Sequence, residues 1–319
     1  MADKKRIDPA TGTETVGHEW DGIEELDTPM PRWWLWTLYA TIVFAVVYMV
    51  LYPSWPLVSR ATAGVWNWSS RTQLDAEMKA DADHKRPVML ALAQIPVERL
   101  PDDGKLMNAA VQGGAAAFRV NCVQCHGSGA AGGKGYANLN DDDWLWGGDL
   151  KTIHQTIEHG IRYNGDPATR VSLMPAFGRD AVLKPDQIDD VANFVLTLSG
   201  KAKPSPSSQR GATVFAAQCA ACHGTDARGG RKFGAPNLTD RIWLYGGDKT
   251  TIVETITDGR GGVMPAWGQR LDPATVKMLA AYVHSLGGGE QFVPDTQPQG
   301  EAKAEAGQVP APVKQNAAR

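Results

Sequence analysis

From Trp33 to Tyr52 the chain runs 20 residues without a charge, WWLWTLYATIVFAVVYMVLY. At about 1.5 Å per helical residue the run spans roughly 30 Å, the hydrocarbon depth of a bilayer. Trp33, Trp34 and Trp36 gather at one end and Tyr52 and Trp55 at the other, as interfacial aromatic belts do. A signal peptide has a shorter apolar stretch, about 7–15 residues, behind a basic start. Here the first 32 residues carry net charge −4. The pattern predicts a retained transmembrane anchor over 32–53, after a short segment 1–31. Further on, apolar positions recur at i, i+3, i+7, i+10 twice: Ile188, Val191, Val195, Leu198, and Val276, Leu279, Val283, Leu286. Asp272-Pro273 offers an N-cap and a first-position proline, whereas Lys184-Pro185 lacks the side-chain acceptor. Another helix is expected near Thr72–Ala93, inside a spacer or docking segment 54–103. KAKPSPSSQ (201–209) reads as a polar linker and 290–319 as a disordered tail.

The two periodic helices close two copies of one longer pattern. Gly114 and Phe118 align with Gly211 and Phe215, and Asn138-Leu139 with Asn237-Leu238. Trp144-Leu-Trp-Gly-Gly-Asp149 aligns with Trp243-Leu-Tyr-Gly-Gly-Asp248, and Met174-Pro-Ala-Phe-Gly178 with Met264-Pro-Ala-Trp-Gly268. The first copy carries extra residues between Gly160 and Met174, an insertion with no counterpart in the second. The repeats set domain bounds of 104–200 and 210–289.

All four cysteines fall at corresponding places, in Cys122-Val-Gln-Cys125-His126 and Cys219-Ala-Ala-Cys222-His223. Cys-x-x-Cys-His is the attachment site of c-type haem. Two thiols bond the macrocycle covalently, and one helical turn brings the histidine beneath the iron. A zinc ribbon needs its second Cys pair about 15–20 residues on; these pairs lie 97 apart. A redox dithiol would not explain two copies. The motifs imply two covalently bound haem c groups, on Cys122 and Cys125 and on Cys219 and Cys222. His126 and His223 are then the proximal iron ligands. Met174 and Met264, in matching loops before the last helix of each copy, are the expected sixth ligands. Thioether ligation raises the haem potential and closes the sixth site, which suits electron transfer. His154 and His159 compete in the first copy only, since Val253 and Asp258 replace them in the second.

Net charge is −3, with no basic stripe for nucleic acid. Residues 101–200 hold 12 acidic and 8 basic side chains, and residues 210–289 hold 6 and 9. The acidic copy is therefore the one suited to a basic donor protein. Asp141-Asp142-Asp143 reads as a helix-capping loop.

Each copy resembles a small class I cytochrome c. The fold this implies is all-α: one N-terminal transmembrane helix followed by two tandem class I cytochrome c domains. In that family the first and last helices cross at a glycine and an aromatic. The resemblance pairs Gly114 and Phe118 with Phe194, and Gly211 and Phe215 with Tyr282. Gly234-Ala-Pro236 matches the family loop whose proline carbonyl accepts from the proximal histidine; Gly135-Tyr-Ala137 lacks the proline. The segment Asp21 to Trp34, ending Pro-Arg-Trp-Trp and joined to one span and two such modules, resembles subunit III of cbb3-type cytochrome c oxidases. That resemblance covers about residues 18–289.

The resemblance implies a non-catalytic electron-transfer subunit of a cytochrome c oxidase complex in aerobic respiration. It would sit in the bacterial inner membrane, single-pass, with residues 1–31 cytoplasmic and the haem domains periplasmic. Electrons would come from a soluble cytochrome c or the bc1 complex. They would leave through a monohaem cytochrome c subunit to the haem–copper catalytic subunit. The alternatives are a cytochrome c subunit of a periplasmic dehydrogenase and a dihaem peroxidase.

Overall fold

The computed structural model describes residues 5–291; most of the tail expected over 290–319 lies outside them. The chain divides into two compact units, the second beginning at Lys85. The first opens with an antiparallel hairpin, β1 (Thr15–Trp20) and β2 (Ile23–Leu26). This small sheet is a minor addition to the otherwise helical fold expected from the sequence. Its turn is Asp21-Gly22, both at positive φ (50° and 86°), the backbone that a two-residue type I′ turn requires.

Helix α1 (Arg32–Leu51) follows, apolar on all sides, with mean hydropathy 2.0 and no buried residue. A core helix would be covered; a helix apolar all round and uncovered is suited to lipid. At its end Tyr52 meets Trp66 and Trp68 edge-on, at 5.0 and 5.6 Å between ring centroids. Helix α2 (Ser70–Gln94) runs into the second unit. There Leu92 is fully buried against Met278 and Ala274. Lys277 Nζ donates to the Leu92, Ala93 and Ile95 carbonyls at 3.0, 2.9 and 2.6 Å, a cation on a helix C-terminus.

A 3₁₀ turn (Val97–Asp102) leads into α3 (Gly104–Asn121), capped by Asp103. Then come α4 (Val123–His126), α5 (Leu150–His159) and α6 (Pro185–Leu198). The second copy supplies α7 (Pro206–Gln218), α8 (Ala220–His223), α9 (Lys249–Asp258) and α10 (Pro273–His284). Asp272 caps α10 as expected, accepting from Thr275 N–H. At α6 the Gln187 side chain instead accepts from Lys184 N–H. The stretch 201–209 is not linker throughout, because Ser205 caps α7 by accepting from Ser208 N–H and Pro206 starts the helix. Asp141–Asp143 caps no helix; Asp149 caps α5.

The two repeats exchange their last helices. Helix α3 crosses α10 and α7 crosses α6, while α5 packs on α10 and α9 on α6. Phe118 therefore packs tilted against Tyr282 and Phe215 against Phe194, each at 5.3 Å between ring centroids. This replaces the expected pairs Phe118–Phe194 and Phe215–Tyr282. The connection explains it. Only seven residues separate Leu198 from Pro206, so α6 and α7 fold back on each other as a hairpin. That leaves α10 as the partner of α3.

The hairpin is fastened by Asp190, buried on α6. It accepts from Arg210 Nε and Nη2, both at 2.7 Å, and from Ser207 Oγ at 2.6 Å. Arg210, with Ser207 adding, holds its carboxyl below the ordinary 3.8. A depressed folded-state pKa stabilises above 3.8 and is lost as pH falls through the folded value. Asp190→Asn should therefore lower the denaturant midpoint more at pH 7 than at pH 2. An equal loss at both pH values would contradict the ion pair's role.

Candidate haem centres

Each Cys-x-x-Cys-His stands on a single helical turn, α4 or α8, whose first cysteine is also the C-cap of the preceding long helix. Cys125 and Cys222 are exposed, and Cys122 and Cys219 half-buried. Burial, and secondarily the partner cysteine, push the Cys122 and Cys219 thiols up to about 11. Metal-binding and redox dithiols lower that value instead.

His126 Nδ1 lies 2.9 Å from the Ala137 carbonyl and His223 Nδ1 3.1 Å from that of Pro236. A carbonyl only accepts, so each Nδ1 carries the proton and each Nε2 keeps its lone pair for a metal. Ala137 thus serves as Pro236 does. Burial lowers the His223 pKa, opposed by the Pro236 hydrogen bond, which favours the neutral form that ligates metal.

The methionine loops cross between repeats as the helices do. Met264 exchanges backbone hydrogen bonds with Ile161, at 2.9 and 3.0 Å, and Met174 with Arg260, at 3.0 and 3.3 Å. Beside them, Cβ atoms on Gly160 and Gly259 would stand 2.3 Å from Met264 O and 2.4 Å from Met174 O, so both crossings need glycine. Met174 accordingly lines a cavity of 640 Å³ together with Cys219, Cys222, His223, Phe177 and Pro236. Met264 packs with Cys122, Leu139, Trp144 and Trp267 around buried Phe118, Ile153 and Val276. The same-repeat partners expected from sequence are not brought together: Met174 goes with His223 and Met264 with the Cys122 side.

These surroundings fit a covalently held porphyrin. Two thiols, a neutral imidazole and a thioether share one largely apolar cavity, whose volume is that of a small-molecule site. His154 and His159 are turned to carboxylates. His154 Nδ1 is 3.4 Å from Glu158, and His159 Nδ1 is 3.2 Å from Asp166. Arg162, which sequence reasoning passed over, lines the cavity from the first-copy insertion. Asp141 lines it too, its carboxyl raised mainly by burial. Past the last helix, Glu290 is held by Gly148, Arg231 and His284, so the ordered chain extends into the expected tail.

An apolar anchor joined to two interlocked Cys-x-x-Cys-His repeats defines a membrane-anchored c-type cytochrome. Residues 12–59 match the model of the N-terminal domain of cytochrome oxidase-cbb3, FixP. Residues 109–195 and 206–283 match that of cytochrome c oxidase, cbb3-type, subunit III. The chain is 53% identical to a cbb3-type cytochrome c oxidase subunit CcoP of Cereibacter sphaeroides, over 86% of this chain and 95% of that one. It is 53% identical to a FixP subunit of Azorhizobium caulinodans (89% and 96% covered) and 50% to one of Bradyrhizobium sp. (91% and 100%). The chain belongs to the cbb3-type cytochrome c oxidase subunit III family.

Proposed function

We propose that this chain carries two haem c groups and relays electrons within a cbb3-type oxidase. The observation that carries the proposal is the sharing of one cavity by Cys219, Cys222, His223 and Met174, with Met264 and Cys122 packed on one apolar cluster in the other half. When bound, haem supplies a one-electron couple. The protein's part is to hold it rigidly. Cys122 and Cys125, and Cys219 and Cys222, would form the thioether links. His126 Nε2 with Met264 Sδ, and His223 Nε2 with Met174 Sδ, would supply the protein donors to the two irons. Buried Phe118, Ile153, Val276 and Leu279, and Val191, Val195, Ile252 and Ile256, exclude water.

The first haem-bearing half and the second touch directly, since Gly135 N–H donates to Leu244 O at 2.8 Å and Trp146 packs against Gly234. This contact supports transfer between the two centres. Covalent haem attachment takes place outside the cytoplasmic membrane, which supports a periplasmic orientation in the bacterial inner membrane. The donor is a soluble cytochrome c or the bc1 complex, and the acceptors are the monohaem and haem–copper subunits. A methionine in each centre leaves no open position, which counts against a peroxidase.

Gentle detergent purification from native membranes tests this reading. Haem b, copper and cytochrome c-driven oxygen consumption should copurify, and deleting the chain should abolish that consumption. A copurifying quinoprotein dehydrogenase would favour the rival.

A further inference from the structure

Arg162 sits at the start of the first-copy insertion with φ +51°, a left-handed conformation that an arginine rarely adopts. Its own N–H donates to Arg170 O at 2.6 Å, which closes the insertion into a loop. The strained backbone aims the guanidinium between the two methionine loops. Nε donates to Gly262 O at 2.6 Å, two residues before Met264, and Nη1 to Ser172 O at 2.5 Å, two before Met174. These bonds use two of five donors. The side chain is half-buried, and burial lowers its pKa, yet among the described residues no carboxylate lies in ion-pair range. Arg260, on the same cavity lining, stacks over Tyr245 at 4.6 Å and is balanced by Glu254 at 3.1 Å. Arg162 has no such balance. A half-buried cation without a counter-ion is costly unless an anion completes the site.

We propose that Arg162 receives a carboxylate of the haem attached at Cys219 and Cys222, while pinning both methionine loops. This rests on the crossed assignment above. Thioethers at Cys219 and Cys222 would hold the macrocycle at α8, and a haem carries its two propionates on the edge opposite the vinyl groups. The first copy would thereby supply the second haem with both its sixth ligand and an anion-receiving residue. A positive charge beside a haem disfavours the more positive oxidised iron, so it raises the potential.

The test is a redox titration of the full-length dihaem chain in detergent, resolving two components. Met174→His identifies the component belonging to the cavity, and retention of that component after Cys122 and Cys125 are replaced checks the crossed assignment separately. Arg162→Gln should lower this component's reduction equilibrium about tenfold, 59 mV for one electron, and leave the other within a third of that. Arg162→Lys, which keeps the charge, should recover most of the shift. Equal falls in both components would mean loop pinning alone. That outcome, Gln and Lys variants behaving alike, or no shift in a chain of unchanged haem content, overturns the proposal.

Discussion

Replacing Met264 with alanine should strip the sixth ligand from the haem held by Cys122, Cys125 and His126, although all three stand in the other repeat. The backbone bonds of Met264 with Ile161 deliver its loop to that side, where its side chain packs against Cys122 and Trp144. Because thioether ligation raises the potential and closes the sixth site, the loss should be large in both respects. In the dihaem chain, about half of the thioether-to-iron absorption should vanish, and the reduced protein should bind about one equivalent of carbon monoxide where the parent binds none. Oxygen consumption through the assembled oxidase should fall at least tenfold, since a relay fails at its weakest step. Met174→Ala should give the same spectral loss from the other centre. Intact absorption in either variant would remove that methionine from the iron.

The helix crossings carry the second large effect. A Cβ on Gly211 would stand 2.0 Å from Asp190 O, and one on Gly114 2.0 Å from Met278 O. These neighbours are backbone and cannot swing aside. An alanine in a helix is ordinarily favoured over glycine by about 1 kcal/mol. Here overpacking should win and destabilise by about 1–3 kcal/mol or more. Gly104→Ala, with nothing within 4 Å, is the control and should be neutral or stabilising by denaturant unfolding. The exchange also dictates which aromatic pairs couple. A double-mutant cycle between Phe118 and Tyr282 should give about 0.5–1.5 kcal/mol, and one between Phe118 and Phe194 close to zero. The reverse ranking would mean that each repeat closes on itself.

The anchor was legible because a charge-free run of bilayer length has few soluble uses, and α1 lies where the run lies. The Cys-x-x-Cys-His repeats, the Asp272 N-cap and the closing helices were legible for the same reason: each depends on residues near in sequence. The exchange was not. Helical periodicity says which face is buried but not what buries it. Two repeats with the same Gly-aromatic crossing offer α3 nearly equivalent partners in α6 and α10. The short Leu198–Pro206 connection decides between them. Reading all of KAKPSPSSQ as linker hid this, although Ser205-Pro206 followed by Ser208 is a helix start. The β1–β2 hairpin has its signal in Asp21-Gly22, the dipeptide of a type I′ turn. Arg162 has no sequence signature, for its role depends on a strained φ and on two loops meeting in space.

The central claim is that each repeat supplies the sixth ligand of the other's haem. Its most direct test is the full-length chain with Cys219 and Cys222 both replaced by alanine, which leaves one haem on Cys122 and Cys125. Thioether absorption in that single-haem protein should survive Met174→Ala and disappear with Met264→Ala. Survival with Met264→Ala and loss with Met174→Ala would contradict the crossed account.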